Sequence, residues 1–171
     1  MLFRSVLFNA LAGNSDRWWT LTCVGSLERD PSTAHHLQAS LRWLRLEDQI
    51  ELRGELDSAA LAGCYDRADV FVLPTLYEGY GMVVAEALAR GLPVVSTTTG
   101  AIQELVADDA GLLVPPGDQI ALATALSRVI ADRGLRERLA EGARRARQRL
   151  ATWEEASARL SHVLERVVAD G

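Results

Sequence analysis

The chain has 171 residues and a net charge of −5, with 49% hydrophobic and 24% charged residues. A chain of this length buries a genuine core by itself, so neither disulfides nor metal sites are needed to hold it together. The composition is that of an ordinary globular domain, and no apolar run reaches the roughly 20 residues of a membrane-spanning helix. The acidic balance disfavours a nucleic-acid-binding protein, since such domains usually carry net positive charge.

The amino-terminal residues are not expected to form a secretory signal peptide. Met1–Phe8 is a short, mainly apolar run with one charged residue, Arg4, and it leads directly into Asn9–Asp16. This argues against a signal peptide, and we expect a cytoplasmic protein. Cys23 and Cys64 lie in apolar stretches without the spacing of metal ligands, which predicts reduced core residues.

Short apolar runs alternate with longer amphipathic ones, and Gly, Pro or Asp stands at the joints. The alternation predicts strands connected by helices, and continuous apolar strands are typical of a parallel sheet covered on both faces. We therefore expect one parallel sheet of five strands. The predicted strands are Thr20–Val24, Ile50–Arg53, Val70–Leu73, Pro93–Ser96 and Leu112–Val114.

Helices are predicted before, between and after these strands. Asp57 is expected to cap the third helix, and Gly91 to end the fourth in a left-handed turn. Thr152 and Glu155 form a capping box for the last helix. The predicted helices are Phe3–Leu11, Ser32–Leu44, Ser58–Arg67, Met82–Arg90, Ile102–Val106, Gln119–Ile130, Arg133–Leu150 and Trp153–Ala169.

The chain opens with a helix, although a doubly wound domain normally begins with a strand that supplies its first βα turn. We therefore expect the first strand of the domain to be missing. With no internal repeat or linker, residues 1–171 are predicted to form a single domain with a C-terminal helix at about 153–169. The sheet core left unpaired by the lost strand invites self-association. The last helix is expected to pack its apolar stripe on the domain or on another copy; the stripe consists of Ala156, Leu160, Val163, Leu164 and Val167.

The segment Val70–Ala89 reads strand, loop, helix. Ligands of open parallel sheets bind at the carboxyl ends of the strands, so this loop lies where a small molecule would bind. Gly79 and Gly81, just before the helix, allow a ligand to approach the backbone closely. The free amides at the helix start favour an anion, and a phosphate fits.

Two carboxylates accompany this helix start. Glu86 stands in the apolar run Met82–Ala89, where burial without a partner would cost on the order of several kcal/mol. Two neighbouring ribose hydroxyls would satisfy it, since a carboxylate accepts both hydrogen bonds. Glu78, in the loop, would contact another part of the same ligand. The structural alternatives are that Glu78 is stabilised by the helix dipole and that Glu86 is an exposed residue of the polar face.

The segments around these acids resemble the C-terminal domain of GT-B-fold glycosyltransferases, in particular the retaining family 4 (group 1) enzymes with an E-x7-E motif. Glu78 and Glu86 match the two acids of the motif. The resemblance covers roughly Thr20 to Leu150, because further segments match in the same order. These segments are Ala68–Thr75, Glu86–Val95, Thr99–Glu104 and Gly111–Asp118.

The resemblance implies an α/β fold, a Rossmann-like parallel sheet with helices on both faces that forms the C-terminal half of a GT-B enzyme. It implies a fragment that transfers a sugar with retention from a nucleotide-diphosphate-sugar donor to an unknown acceptor. Glu86 would hold the ribose hydroxyls, and Glu78 would position the donor sugar as the candidate catalytic residue. The other implied donor-binding residues are Gly79, Tyr80, Gly81 and Met82 at the diphosphate or sugar, and Arg53 and Gly54 at the nucleobase. The donor is a substrate, so we expect no cofactor, and no ligand cluster requires a metal.

The chain departs from the family pattern in one respect. Family members neutralise the donor diphosphate with an Arg and a Lys near the first strand and helix, whereas this chain has no lysine and Arg4 does not match that pair. The N-terminal acceptor domain is also missing, so we expect little or no transferase activity from this chain alone. The partners implied are the nucleotide-sugar donor and that missing domain. The alternatives are a GT-B-fold sugar-nucleotide epimerase and a degenerate binding or assembly module without catalysis.

Overall fold

The structure is a computed structural model that describes residues 3–14, 18–106, 109–150, 157–158, 161 and 165. The capping box of Thr152 and Glu155 lies outside the described residues, as does the apolar stripe of the predicted last helix. Ser157, Ala158 and Ser161 are helical in the part that is described.

Five short strands form where the apolar runs predict them, each end within one residue of its expected position. Every pairing between them is parallel. The strands are β1 (Leu21–Cys23), β2 (Ile50–Leu52), β3 (Phe71–Leu73), β4 (Val94–Thr97) and β5 (Gly111–Val114).

The prediction that all five strands pair in one sheet is wrong. β1 pairs with β2, with Leu21 opposite Ile50, while β3, β4 and β5 form a separate sheet in that order, with Phe71 opposite Val94. The doubly wound order places the first strand of a domain between its second and its fourth strand. Among the described residues no strand lies between β1 and β3, where that first strand would stand. The two-stranded sheet and the three-stranded sheet therefore do not hydrogen-bond to each other.

The helices also follow the sequence expectation, with ends within one residue except that α7 ends at Arg147. Asp57 caps α3 as predicted, because its side chain accepts a hydrogen bond of 2.8 Å from the amide of Ala60. Gly91 follows α4 with a φ of 74°, the left-handed turn expected there. The helices are α1 (Phe3–Ala12), α2 (Pro31–Leu44), α3 (Ser58–Arg67), α4 (Met82–Ala89), α5 (Ile102–Leu105), α6 (Gln119–Ala131) and α7 (Arg133–Arg147).

The core has two layers of apolar side chains, one on each face of the strands. Side chains of α1, α2 and α6 pack on one face, and those of α3, α4 and α5 on the other. Helix α7 contributes to both layers, with Leu135 and Leu139 in the first and Ala143 and Ala146 in the second. Val94 and Val95 are both fully buried and belong to opposite layers, because successive residues of a strand point to opposite faces. The expected α/β class with helices on both faces is confirmed.

Helix α1 joins the two sheets on one face. It lies between α2 and α6, and its fully buried Phe8 belongs to a cluster that includes Ile50 of β2 and Val95 of β4. Cys23 and Cys64 are half-buried and form no disulfide. In the described part of the chain, no helix is long and apolar enough to span a membrane.

Candidate functional site

The loop that follows β3 is held at the carboxyl edge of the three-stranded sheet by hydroxyl groups of the neighbouring strand. Ser96 donates a hydrogen bond of 2.6 Å to the carbonyl of Leu73, and Thr97 donates one of 2.5 Å to the carbonyl of Thr75. Ser96 and Thr97 are buried, and these bonds satisfy their side chains. The first residues of the loop are therefore tied to the end of β4.

Two glycines allow this loop to pack closely against its surroundings. Gly100 has a φ of 48°, and a Cβ at this position would overlap the carbonyl oxygen of Glu78. Gly81 has a φ of 73°, and its Cβ would come within 2.6 Å of the Leu105 side chain. Because Gly100 has no side chain, the backbone of the loop after β4 lies in direct contact with the backbone of Glu78, while Gly81 lets the start of α4 pack against Leu105.

Glu78 is half-buried and bonds to the start of α4. Its Oε1 accepts a hydrogen bond of 3.0 Å from the amide of Gly81. A carboxylate at the N-terminal end of a helix is stabilised by the helix dipole, so Glu78 makes the contact that a purely structural role would require. Its Oε2 makes no hydrogen bond to the described residues and is free to accept one from a ligand.

The N-terminal end of α4 faces solvent. The first helical hydrogen bond runs from the amide of Ala85 to the carbonyl of Gly81, so the amides of Met82 and Val83 have no acceptor within the helix. The side chain of Met82 is 54% exposed, and that of Tyr80 is 81% exposed. An anionic group would reach these amides from solvent.

Glu86 is exposed, and the expectation that it is buried is wrong. Helix α4 packs into the core through Val84, Ala87 and Leu88, which places Glu86 on its outer side. The carboxylate nevertheless has a protein partner, because the hydroxyl of Tyr65 donates a hydrogen bond of 3.1 Å to its Oε2.

Tyr65 is a member of this site that sequence reasoning missed. It is 8% exposed, and burial is the main cause that raises its pKa to about 12, with the charge and hydrogen bond of Glu86 adding to the shift. Its ring centroid lies 5.9 Å from that of Phe71 and 5.1 Å from the guanidinium carbon of Arg90. In the sequence, Tyr65 stands four residues after Leu61, so the two side chains share one face of α3. This spacing predicts a core residue and does not indicate that Tyr65 contacts a functional site.

Arg53 and Gly54 lie at the end of β2, in the other sheet. The side chain of Arg53 forms an ion pair of 2.9 Å with Glu51, and the carbonyl of Gly54 accepts a hydrogen bond of 2.8 Å from the amide of Gly25. The structure thus places Arg53 and Gly54 at the carboxyl edge of the two-stranded sheet, and it shows no bond from them to Glu78 or Glu86 in the described residues.

Two concavities of the described residues are lined by residues other than the candidate ones. One of about 1050 Å³ runs along α6 from Gly13 and Asn14, and another of about 540 Å³ lies beside the outer edge of β5. Neither is lined by Glu78 or Glu86. Among the described residues no group of three or more His, Cys, Asp or Glu could hold a metal ion.

Comparison with known proteins places this arrangement in a family. The family described as "Glycosyl transferases group 1" matches residues 4–132. The chain is 36% identical over 144 residues to the D-inositol 3-phosphate glycosyltransferase of Xylanimonas cellulosilytica, covering 84% of this chain and 34% of that protein. The chain thus spans about a third of the length of that relative.

Solved structures show the same fold. The sucrose-phosphate synthase from Thermosynechococcus elongatus superimposes with a TM-score of 0.85 at 31% identity, over 98% of this chain and 42% of that one. HepE from Anabaena, in complex with UDP and glucose, superimposes with a TM-score of 0.83 at 24% identity, over 94% of this chain and 44% of that one. These structures are GT-B glycosyltransferases whose C-terminal half corresponds to this chain. The strand order, the loop after β3 and the sequence match lead to one conclusion: the chain belongs to the group 1 glycosyl transferases.

Proposed function

We propose that this chain is the donor-binding part of a retaining glycosyltransferase, which transfers a sugar from a nucleotide-diphosphate-sugar to an acceptor held elsewhere in the enzyme. The observation that carries the proposal is the pairing of two accessible carboxylates with free helix amides at one end of α4. Glu78 precedes the amides of Met82 and Val83, and Glu86 follows about one helical turn later. A nucleotide sugar offers hydroxyl groups for the carboxylates and a diphosphate for the amides.

The charges indicate which group of the donor meets which residue. The carboxylate of Glu78 already accepts the hydrogen bond of the Gly81 amide, and its negative charge would repel a phosphate bound at that amide. The diphosphate therefore goes to the amides of Met82 and Val83, and the free oxygen of Glu78 accepts a hydrogen bond from a hydroxyl of the sugar. Glu86, further along α4, accepts from the ribose hydroxyls.

Catalysis by this arrangement consists of charge stabilisation. Positive charge develops at the anomeric carbon as the diphosphate departs, and preorganised amides at the helix start stabilise the negative charge of the leaving group. Arg90, which follows α4, lies at the far end of the helix and pairs with Asp66 at 2.7 Å, so it does not serve the diphosphate. The resemblance assigns an Arg and a Lys to the diphosphate, and this chain has no lysine. The proposal places that cationic pair, and the acceptor site, in parts of the enzyme outside this chain. This chain alone is expected to bind the donor weakly and to transfer no sugar.

Calorimetric titration with UDP, GDP and ADP at low, constant salt tests the proposal. Wild type is expected to bind at least one of them, and Glu86→Gln to weaken that binding about tenfold, a loss of about 1.4 kcal/mol. Glu78→Gln is expected to weaken binding of the matching nucleotide sugar more than that of the bare diphosphate, because its partner is the sugar. Glu141→Gln, at an exposed glutamate of α7, is the matched control.

Two outcomes would contradict the proposal. Nucleotide binding that Glu86→Gln leaves unchanged would remove the ribose assignment. Absence of binding to all three nucleotides by a folded wild-type chain would favour the alternative of a binding or assembly module without a donor site.

Mass measurement of the same sample by light scattering reports whether the open strand edges of β1 and β3 lead to self-association.

A further inference from the structure

We infer that Tyr65 is a positioning residue, which holds the Glu86 carboxylate in the orientation that receives the ribose of the donor; the inference rests on the proposed function. Glu86 is an exposed side chain on the outer side of α4, where a glutamate ordinarily samples several rotamers. The hydrogen bond of 3.1 Å from the Tyr65 hydroxyl to Oε2 restricts that freedom. Oε1 has no partner among the described residues and remains available to a ligand.

The side chain of Tyr65, which donates this hydrogen bond, is itself held in a fixed position. The ring of Tyr65 is buried, with the ring of Phe71 of β3 at 5.9 Å and the guanidinium of Arg90 over its face at 5.1 Å. Arg90 is held in turn by its ion pair with Asp66 of α3 at 2.7 Å. The position of the Tyr65 hydroxyl is therefore set by α3, β3 and the end of α4 together.

The hydrogen bond also keeps Glu86 suited to hydroxyl groups. Tyr65 donates a hydrogen bond to the carboxylate, because a tyrosine phenol is protonated at physiological pH. The rise of its pKa to about 12 makes loss of that proton harder still. A carboxylate that accepts one bond on Oε2 still has lone pairs for two hydroxyl donors. The neighbouring 2′ and 3′ hydroxyls of a ribose match that capacity.

A purely structural role for Tyr65 makes a different prediction. A buried tyrosine hydroxyl needs a hydrogen-bond partner, and Glu86 would then serve Tyr65 with no bearing on ligands. Under that reading, Tyr65→Phe lowers stability or weakens all ligands alike. Under the positioning role, Tyr65→Phe specifically reduces the preference for ribose over 2′-deoxyribose.

The experiment compares UDP, GDP and ADP with their 2′-deoxy analogues by calorimetry, in wild type, Tyr65→Phe, Glu86→Gln and the double variant. Wild type is expected to bind the ribonucleotide more tightly than its 2′-deoxy analogue. Tyr65→Phe is expected to reduce this preference by about threefold or more, which is the size of effect seen when two residues in direct contact are coupled. In the Glu86→Gln background, Tyr65→Phe should change the preference no further. Tyr77→Phe, at a tyrosine 81% exposed, is the matched control and should behave as wild type.

Each result bears on the inference. A wild-type preference that Glu86→Gln abolishes and Tyr65→Phe leaves intact overturns the positioning role while keeping the proposed function. A wild type that binds nucleotides without preferring ribose overturns the positioning role and the ribose assignment of Glu86, and a wild type that binds none of them contradicts the proposed function as well. A second measurement needs no ligand: an alkaline NMR titration should show a lower Tyr65 pKa in Glu86→Gln than in wild type, and an unchanged pKa would contradict the contact itself.

Discussion

The three-stranded sheet β3–β4–β5 and the two-stranded sheet β1–β2 differ in how deeply their strands are buried. All four residues of β4 are buried, whereas Thr22 in the middle of β1 is exposed and its neighbours are half-buried. β4 has a strand on each side, while among the described residues β1 pairs with β2 alone. The loop of Glu78 follows β3, which is half-buried but is paired to the fully buried β4, whereas Arg53 follows β2, which is paired to the half-exposed β1. A more rigid frame is therefore expected around Glu78 and Glu86 than around Arg53.

The largest expected effect comes from the helix that covers both sheets. Phe8→Ala removes a fully buried ring whose cluster includes residues of β2 and β4. We expect a loss of about 3 to 5 kcal/mol in the free energy of unfolding. Urea denaturation followed by circular dichroism measures it, and hydrogen exchange should show faster exchange in both sheets. Faster exchange confined to β1 and β2 would contradict the view that α1 joins the two.

A matched pair of substitutions compares the two sheets directly. Leu88 of α4 is fully buried against the three-stranded sheet, whereas Leu21 of β1 is half-buried. Leu88→Ala is expected to lower the free energy of unfolding by about 2 to 5 kcal/mol. Leu21→Ala should lower it by about 1 kcal/mol, since less apolar area is lost. Equal losses in urea denaturation would show that the two-stranded sheet is as tightly packed as the other.

Substitution of Gly100 tests whether close backbone packing shapes the loop that carries Glu78. A Cβ there overlaps the carbonyl of Glu78, so Gly100→Ala should cost about 1 to 3 kcal/mol and displace the loop. Gly79→Ala is the control, because a Cβ at Gly79 meets nothing within 4 Å. Thermal unfolding measures stability, and the amide NMR signal of Gly81 reports the loop. A wild-type Gly81 signal in Gly100→Ala would mean that the close packing does not shape the site.

The smallest effect concerns exposed carboxylates that lie near each sheet. The pKa of Asp30 is lowered from 3.8 by hydrogen bonds from the side chain and amide of Thr33, and that of Asp109 mainly by the side chain of Arg145. A lowered folded-state pKa means that their stabilisation is present above the unfolded-state pKa near 3.8 and is lost as pH falls through the folded-state value.

Asp30→Asn and Asp109→Asn should therefore each flatten the decline of stability between about pH 5 and pH 2. Asp48→Asn, at an exposed aspartate without a bond to the described residues, is the control. Thermal unfolding across that pH range measures the effect. A decline as steep as that of wild type in both variants would show that these hydrogen bonds do not matter for acid stability.

The sequence by itself determined the local elements of this protein. Apolar runs and amphipathic segments predicted five strands and seven of the helices nearly to the residue, and Asp57 and Gly91 predicted how α3 begins and α4 ends. These features depend on residues within a few positions of one another, which is why periodicity and capping chemistry reveal them. The placement of the loop after β3 at the carboxyl edge follows from the same local order. The roles proposed for Glu78 and Glu86 came from the family resemblance.

Only the tertiary structure decided how distant elements meet. Strand pairing into two sheets depends on which strand lies beside which, and a local apolar run carries no information about its neighbour. The burial of Glu86 was predicted wrongly because a short, uniformly apolar helix does not indicate which side faces the core. The contact between Tyr65 and Glu86 joins residues 21 positions apart on two helices, so it arises only when α3 and α4 pack side by side on the sheet.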